Sequence, residues 1–170
     1  MSSDSSHKRP AALYVLVLLM FFQAVSGLYG GICLVVDPSG GLLKMATDVL
    51  DKTPFRSFLV PGLILTLLLG VVPLLLVYPL LVQPHWRWAG KLNIYRNRHW
   101  AWTYSLFTGL AIIIWIDVQI YMIGYSQFIQ TFIAGLGVLI VIFTLWPSVM
   151  KHFRKFRKDQ SRKHHESSEE

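Results

Sequence analysis

Four long apolar stretches, joined by short polar connections, constrain what this chain can fold into more than any other feature. They cover residues 11–36, 55–82, 100–124 and 128–150. About 20 apolar residues in an α-helix cross the ~30 Å hydrocarbon core of a bilayer, so each stretch is long enough to span it. Backbone groups at membrane depth must be hydrogen-bonded within the protein, which favours helices. We therefore expect an all-α integral membrane protein built as an antiparallel bundle of four transmembrane helices.

The distribution of positive charge predicts the orientation of this bundle. Of the 16 Lys and Arg residues, thirteen lie in the N-terminal tail (1–10), the second connection (83–99) and the C-terminal tail (151–170), which is basic first and acidic at its end. Three more lie in or beside the first connection, and none lies between the third and fourth stretches. Cytoplasmic segments are enriched in Lys and Arg, so both termini are expected to be cytoplasmic and residues 37–53 to be extracytoplasmic.

The first stretch has two interpretations. A basic head, an apolar run and the small-residue pattern Ala24-Val25-Ser26 are also typical of a cleaved secretory signal. The apolar character continues to residue 36, however, which favours an uncleaved span. Gly27 and Gly31 form a GxxxG step that predicts close helix packing.

The connections carry further structural predictions. Residues 42–52 place apolar and charged side chains on different helical faces, which predicts a short interfacial helix in the first extracytoplasmic loop. Thr53-Pro54 is typical of a helix start, and Pro73 predicts a bend in the second span. The second connection is basic and has Trp pairs at both ends, which indicates membrane anchoring rather than nucleic-acid binding.

The third stretch contains an acidic residue, Asp117. An ionisable group at mid-bilayer costs about 2.5–3.5 kcal/mol on the insertion scale and suggests a function. Other polar residues occur at a similar depth on every span, with Gln23 somewhat deeper. We therefore expect a polar pocket in the outer leaflet, beneath the first loop. Its candidate residues are Asp117, Gln119, Tyr121, Tyr29, Ser26, Thr66 and Gln130.

Several functions remain open for such a pocket. The polar residues could simply join neighbouring helices, or they could bind a lipid-like ligand. A third alternative is a small enzyme or carrier for an apolar substrate, with Asp117 as proton donor or acceptor and Gln119, Tyr121 and Tyr29 orienting it. A fourth is an accessory subunit or homo-oligomer that contacts its membrane partner through Gly27 and Gly31.

The sequence gives little support to an enzyme. The chain lacks HExxH, CxxC, GxSxG and phosphate-binding glycine motifs, and no histidine lies inside a span. Metal and cofactor sites are therefore not expected, and the leading expectation is a non-catalytic protein whose partners are the bilayer, a lipid-like ligand or another membrane protein.

Three segments carry a resemblance to known proteins. The runs DPSGG (37–41), TPFRSFLVPG (53–62) and WIDVQIYMIGY (115–125) resemble small four-span bacterial membrane proteins without an assigned chemistry. The resemblance covers most of residues 27–147 and implies a four-helix topology in a bacterial inner membrane. More distantly, the chain is similar to DoxX-like and EXPERA-type proteins. EXPERA proteins act on sterols through more than one intramembrane acid, whereas this sequence offers only Asp117.

Overall fold

The regular structure of the chain is helical throughout the part that the structure describes. The computed structural model describes residues 9–45, 50–51, 53–84, 86–95, 97–124 and 128–154, with residues 122 and 123 described by their backbone only. No strand occurs within these ranges. The elements in chain order are α1 (Ala11–Val36), a 3₁₀ turn (Gly41–Leu43), α2 (Leu59–Ile64), a π-helix (Leu65–Val71), α3 (Val72–Val82), α4 (Arg87–Lys91), α5 (Trp100–Ile123), α6 (Phe128–Thr144) and α7 (Pro147–His152).

Three of the helices are long and apolar enough to cross a membrane, and a fourth is shorter. The three are α1, the continuous helix Leu59–Val82 (hereafter the second span) and α5. The fourth, α6, has 17 residues, or about 25 Å of helix. The prediction that the fourth span continues to residue 150 is wrong. The helix ends at Thr144, and Trp146, the residue before Pro147, has an extended ψ of 133°. A residue before proline disfavours the helical conformation, and α7 begins at that proline.

The predicted start of the second span at residue 55 is also wrong, since the helix begins at Leu59. The Thr53 hydroxyl accepts the Phe55 N–H, as predicted for a cap, but no helix follows it directly. Instead the Phe58 N–H donates to the Pro38 carbonyl, and the Phe58 ring packs in a small apolar cluster with Leu34. Burial of Phe58 holds residues 55–58 against the end of α1, and the helix therefore begins only at Leu59.

The interfacial helix predicted over residues 42–52 is not continuous. One 3₁₀ turn (Gly41–Leu43) is stopped by Lys44, whose φ of 54° is left-handed. Residues 46–49 and 52 lie outside the described ranges, so that part of the prediction stays untested.

The second span widens before the proline where a bend was predicted. Pro73 has no N–H to donate to the carbonyl of Leu69. Over Leu65–Val71 the helix is a π-helix, and the Val72 N–H donates to the Leu67 carbonyl five residues back. The wide turns bring Leu65 and Leu69 to the face that meets α1.

Small residues let α1 and the second span approach closely. A Cβ built on Gly27 would overlap the Leu69 carbonyl oxygen and lie 2.8 Å from the Gly70 nitrogen. A Cβ on Gly31 would lie 2.5 Å from the Thr66 nitrogen, and one on Gly62 would lie 2.7 Å from Leu34 Cβ. The predicted packing role of Gly27 and Gly31 is thus seen within the chain itself, between its first two spans.

The two ends of the bundle differ in chemistry. At the basic end, defined by residues 83–99 and 145–154, the His99 N–H donates to the Phe153 carbonyl and the Trp102 indole N–H donates to the Thr144 carbonyl at 2.7 Å. Trp100 and Trp102 are buried there, so they belong to the core and not to a membrane-facing aromatic belt. The opposite end, which includes the described residues of 37–45, 50–51 and 53–58, is called the loop end.

Candidate functional site

A cavity of about 400 Å³ lies between the helices at the loop end. Its volume is within the range typical of small-molecule pockets, about 300–1,000 Å³. Every long helix contributes to its wall, and the first loop covers it. The loop residues on the wall are mainly apolar: Leu43, Met45, Leu50, Thr53, Phe55 and Phe58.

One wall is a straight stripe along α1. Gln23, Gly27, Gly30 and Leu34 are spaced by four, three and four residues, so they lie on one face of the helix. From Gln23 to Leu34 the stripe is about 16 Å long. Gly30 leaves space beside the backbone, whereas Gly27 is in close contact with the backbone of the second span. The facing wall is aliphatic, with Pro61, Leu65 and Leu69 from the second span.

The remaining wall comes from α5 and α6. The α5 residues are Trp115, Ile116, Val118 and Gln119, and the α6 residues are Ile129, Gln130 and Ile133. Among the described lining residues there is no Asp, Glu, Lys, Arg or His. The predicted polar pocket is therefore a mainly apolar cavity with a few uncharged polar groups.

Two polar side chains that line the cavity, one on α1 and one on α5, lack hydrogen-bond partners among the described residues. Gln23 is 0% exposed, and neither its Nε2 nor its Oε1 is paired. The Trp115 indole nitrogen is also buried and unpaired. Buried polar groups are nearly always hydrogen-bonded in native proteins, so these two side chains require a specific explanation.

The cavity includes three of the seven predicted site residues: Tyr29, Gln119 and Gln130. Tyr29 lies on the wall but is 69% exposed, whereas Gln130 is buried.

Asp117 does not line the cavity, which corrects the central prediction about the site. Its side chain is exposed on the outside of the bundle, as is that of Tyr121, which is 91% exposed. Successive residues of an α-helix are about 100° apart, so Asp117 points about 160° away from both Trp115 and Gln119. With those two side chains on the cavity wall, Asp117 faces the opposite direction.

Ser26 and Thr66 are also absent from the wall, for a different reason. The Ser26 hydroxyl donates to the Phe22 carbonyl at 3.0 Å, and the Thr66 hydroxyl donates to the Gly62 carbonyl at 2.8 Å. Both hydroxyls thus bond to the preceding turn of their own helix, and Thr66 packs against Gly31 at the interface with α1.

One charged side chain of the loop end, Asp37, stabilises the turn at the start of the loop. Asp37 accepts hydrogen bonds from the Ser39 hydroxyl at 2.5 Å and from the Leu42 N–H at 3.0 Å. The Ser39 hydroxyl and the Leu42 amide lower the pKa of the Asp37 carboxyl. This turn carries Leu43 and Met45 to the top of the cavity.

Sequence reasoning missed the loop side chains on the wall, and it placed Gln23 deeper than the site. The signal for Gln23 was present, because it lies one turn before Gly27 on the same face of α1. Within the described ranges, no group of three or more His, Cys, Asp or Glu side chains could hold a metal ion.

Comparisons of the chain with protein-family models, with curated proteins and with solved structures returned no match. The resemblance described for residues 27–147 therefore stays a prediction, and the interpretation of the cavity depends on its own chemistry.

Proposed function

We propose that this chain is a multi-pass membrane protein that binds a lipid-like molecule in the cavity beneath its first loop. The observation that carries the proposal is the cavity itself. It is about 400 Å³ in volume and mainly apolar, without a charged side chain among the described lining residues. A site of this composition favours an apolar molecule over an ion or a polar metabolite.

The position of the cavity also suits a ligand from the bilayer. It extends about 16 Å along α1, from the loop end to the middle of the helix. Tyr29 and Ile129 line it and are 69% and 52% exposed on apolar helices. In a membrane these side chains would border lipid, and a lipid-like molecule could enter beside them without crossing water.

The alternatives have less support. The exposed position of Asp117 leaves the enzyme or carrier alternative without a carboxyl group among the described residues of the cavity wall. Because Gly27 and Gly31 pack against the second span of the same chain, they are not available to dock a partner helix.

Filling the cavity tests the proposal. Gly30 lies on the wall, and a Cβ there meets only the flexible end of Leu65, at 3.2 Å, so the Gly30→Leu side chain can occupy the cavity. The matched control is Gly135→Leu, since Gly135 lies on α6 outside the cavity and a Cβ built on it would meet no atom within 4 Å. Native mass spectrometry of the detergent-extracted protein measures the bound lipid.

We expect lipid to be retained by the wild-type chain and by Gly135→Leu, and to be lost from Gly30→Leu. A wild-type chain that remains lipid-free after incubation with bilayer lipids, or equal retention by both variants, would contradict the proposal.

We further propose a bacterial inner-membrane location with both termini cytoplasmic. The thirteen Lys and Arg residues of the two tails and the second connection support the cytoplasmic termini. The bacterial inner membrane is what the resemblance of residues 27–147 implies. A fluorescent protein that matures only in the cytoplasm, fused to the C-terminus, is expected to fluoresce. A dark fusion that is present at normal levels would reverse the orientation.

A further inference from the structure

The polar groups at the inner end of the cavity indicate the chemistry of the ligand. Gln23 lies 12 residues from the first residue of α1 and 13 from the last, which places it at the middle of this helix. Its side chain is 0% exposed, lines the cavity, and has no hydrogen-bond partner among the described residues for either Nε2 or Oε1. Such an amide is costly in an apolar interior unless something else bonds to it.

Trp115 adds a second unpaired group on the same cavity. Its Nε1 is buried and unpartnered among the described residues, and the residue lies on α5, which faces the cavity together with α1. It is the sixteenth of the 24 residues of α5, so it too lies away from both ends of its helix. The inner part of this mainly apolar cavity thus offers two donor nitrogens, one from an amide and one from an indole, and one acceptor oxygen.

The set of donors and acceptors discriminates among ligand groups. The Gln23 amide both donates and accepts, whereas the Trp115 indole only donates. A hydroxyl can accept from both nitrogens and donate to Gln23 Oε1. A ketone, ester or ether oxygen only accepts, and would leave Oε1 unpaired. A charged headgroup would find no opposite charge among the described lining residues.

We propose, as a deepening of the proposed function and dependent on it, that the cavity binds a neutral, single-chain lipid through a hydroxyl group held by Gln23 and Trp115. The apolar chain of the ligand then lies along Gly27, Gly30 and Leu34, toward the loop end. Gly30 leaves room for this chain, since a Cβ there would meet only the flexible end of the Leu65 side chain, at 3.2 Å. The hydroxyl enters first and the chain follows, which reverses the usual orientation of a lipid in the outer leaflet.

A matched pair of probes tests this inference on the full-length protein in nanodiscs. Tritiated 1-hexadecanol is the labelled probe, and unlabelled 1-hexadecanol and its methyl ether are the competitors. The two competitors differ only in the hydroxyl hydrogen and one methyl group. We expect the alcohol to compete about tenfold or more better than the ether for the wild-type chain.

Variants then assign the preference to the two side chains. Gln23→Leu should abolish the preference for the alcohol, and Trp115→Phe should reduce it. Thr108→Val is the matched control, because Thr108 is a buried polar residue of α5 outside the cavity. Its hydroxyl bonds to the Tyr104 carbonyl, and the variant should keep the full preference.

The outcomes separate this inference from the proposed function. Equal competition by alcohol and ether, or a preference that survives in Gln23→Leu, would overturn the hydroxyl site and leave lipid binding intact. Binding of neither probe, together with an absence of co-purified lipid, would contradict the proposed function as well. Should Gln23→Leu fail to fold, the wild-type comparison of the two competitors and Trp115→Phe still decide the inference.

Discussion

The close approach of α1 to the second span makes a quantitative prediction about Gly27→Ala. The added Cβ would overlap the Leu69 carbonyl oxygen and lie 2.8 Å from the Gly70 nitrogen. Non-bonded carbon atoms prefer separations of about 3.5–4.0 Å, so the two helices would have to move apart. The clashing atoms are backbone atoms, which cannot turn away as a flexible side chain would.

The magnitude follows from two opposing effects. Overpacking of this kind costs about 1–3 kcal/mol. Replacing Gly by Ala inside a helix favours the helix by up to about 1 kcal/mol. Gly135→Ala has only the second effect, because no atom lies within 4 Å of a Cβ at Gly135. The difference between the two variants therefore isolates the packing cost, and we expect Gly27→Ala to be less stable by about 1–3 kcal/mol.

Unfolding in mixed micelles of mild detergent and SDS, followed by circular dichroism, measures this difference. The free energy of unfolding of each variant is compared with that of the wild-type chain. Two variants that agree within about 0.5 kcal/mol, the usual effect of a surface substitution, would refute the interface between the first two spans.

Three further predictions follow from other parts of the structure. Asp117→Leu should leave the amount of bound lipid unchanged in native mass spectra, since Asp117 is exposed outside the cavity, and loss of lipid would return it to the site. Trp102→Phe removes the donor to the buried Thr144 carbonyl and should lower the free energy of unfolding by about 1–3 kcal/mol in the same SDS assay; an unchanged value would contradict that bond. The lowered pKa of Asp37 means that its carboxylate stabilises the loop at pH values above the ordinary 3.8 and loses this effect as the pH falls through the folded-state pKa. In NMR spectra the Leu42 amide should therefore titrate with a midpoint below 3.8, and a midpoint above it would contradict the hydrogen bonds to Asp37.

The long apolar helices could be predicted from sequence because they depend on composition over about 20 residues. The start of α1 at residue 11 and of α5 at residue 100 agree with the apolar pattern. The start of the second span and the end of α6 differ from the predicted bounds, because they depend on single residues. Phe58 packs against Leu34 in the small apolar cluster, and the second span begins only after it. Pro147 is a helix-ending signal that can be read from the sequence, but it lies within an apolar stretch.

The rotation of each helix about its axis decides which polar residues form a site, and the depth of those residues in the membrane does not determine it. Asp117 and Gln119 lie at nearly equal depth, but two positions along a helix differ by about 200° in direction, and here Gln119 lies on the cavity wall whereas Asp117 is exposed outside the bundle. The angular separation is available from sequence. The sequence alone does not determine which of the two faces of α5 lines the cavity. The carboxyl group of Asp117 favours the wrong face, because the face with Trp115 and Gln119 carries no charge. In the packed structure Ile112 and Ile116 are among the buried side chains of α5, and the second face is turned inward with them. At the inner end of the cavity the unpaired polar chemistry therefore comes in part from an uncharged amide on α1, Gln23, which lies one turn before Gly27 on the same helix face.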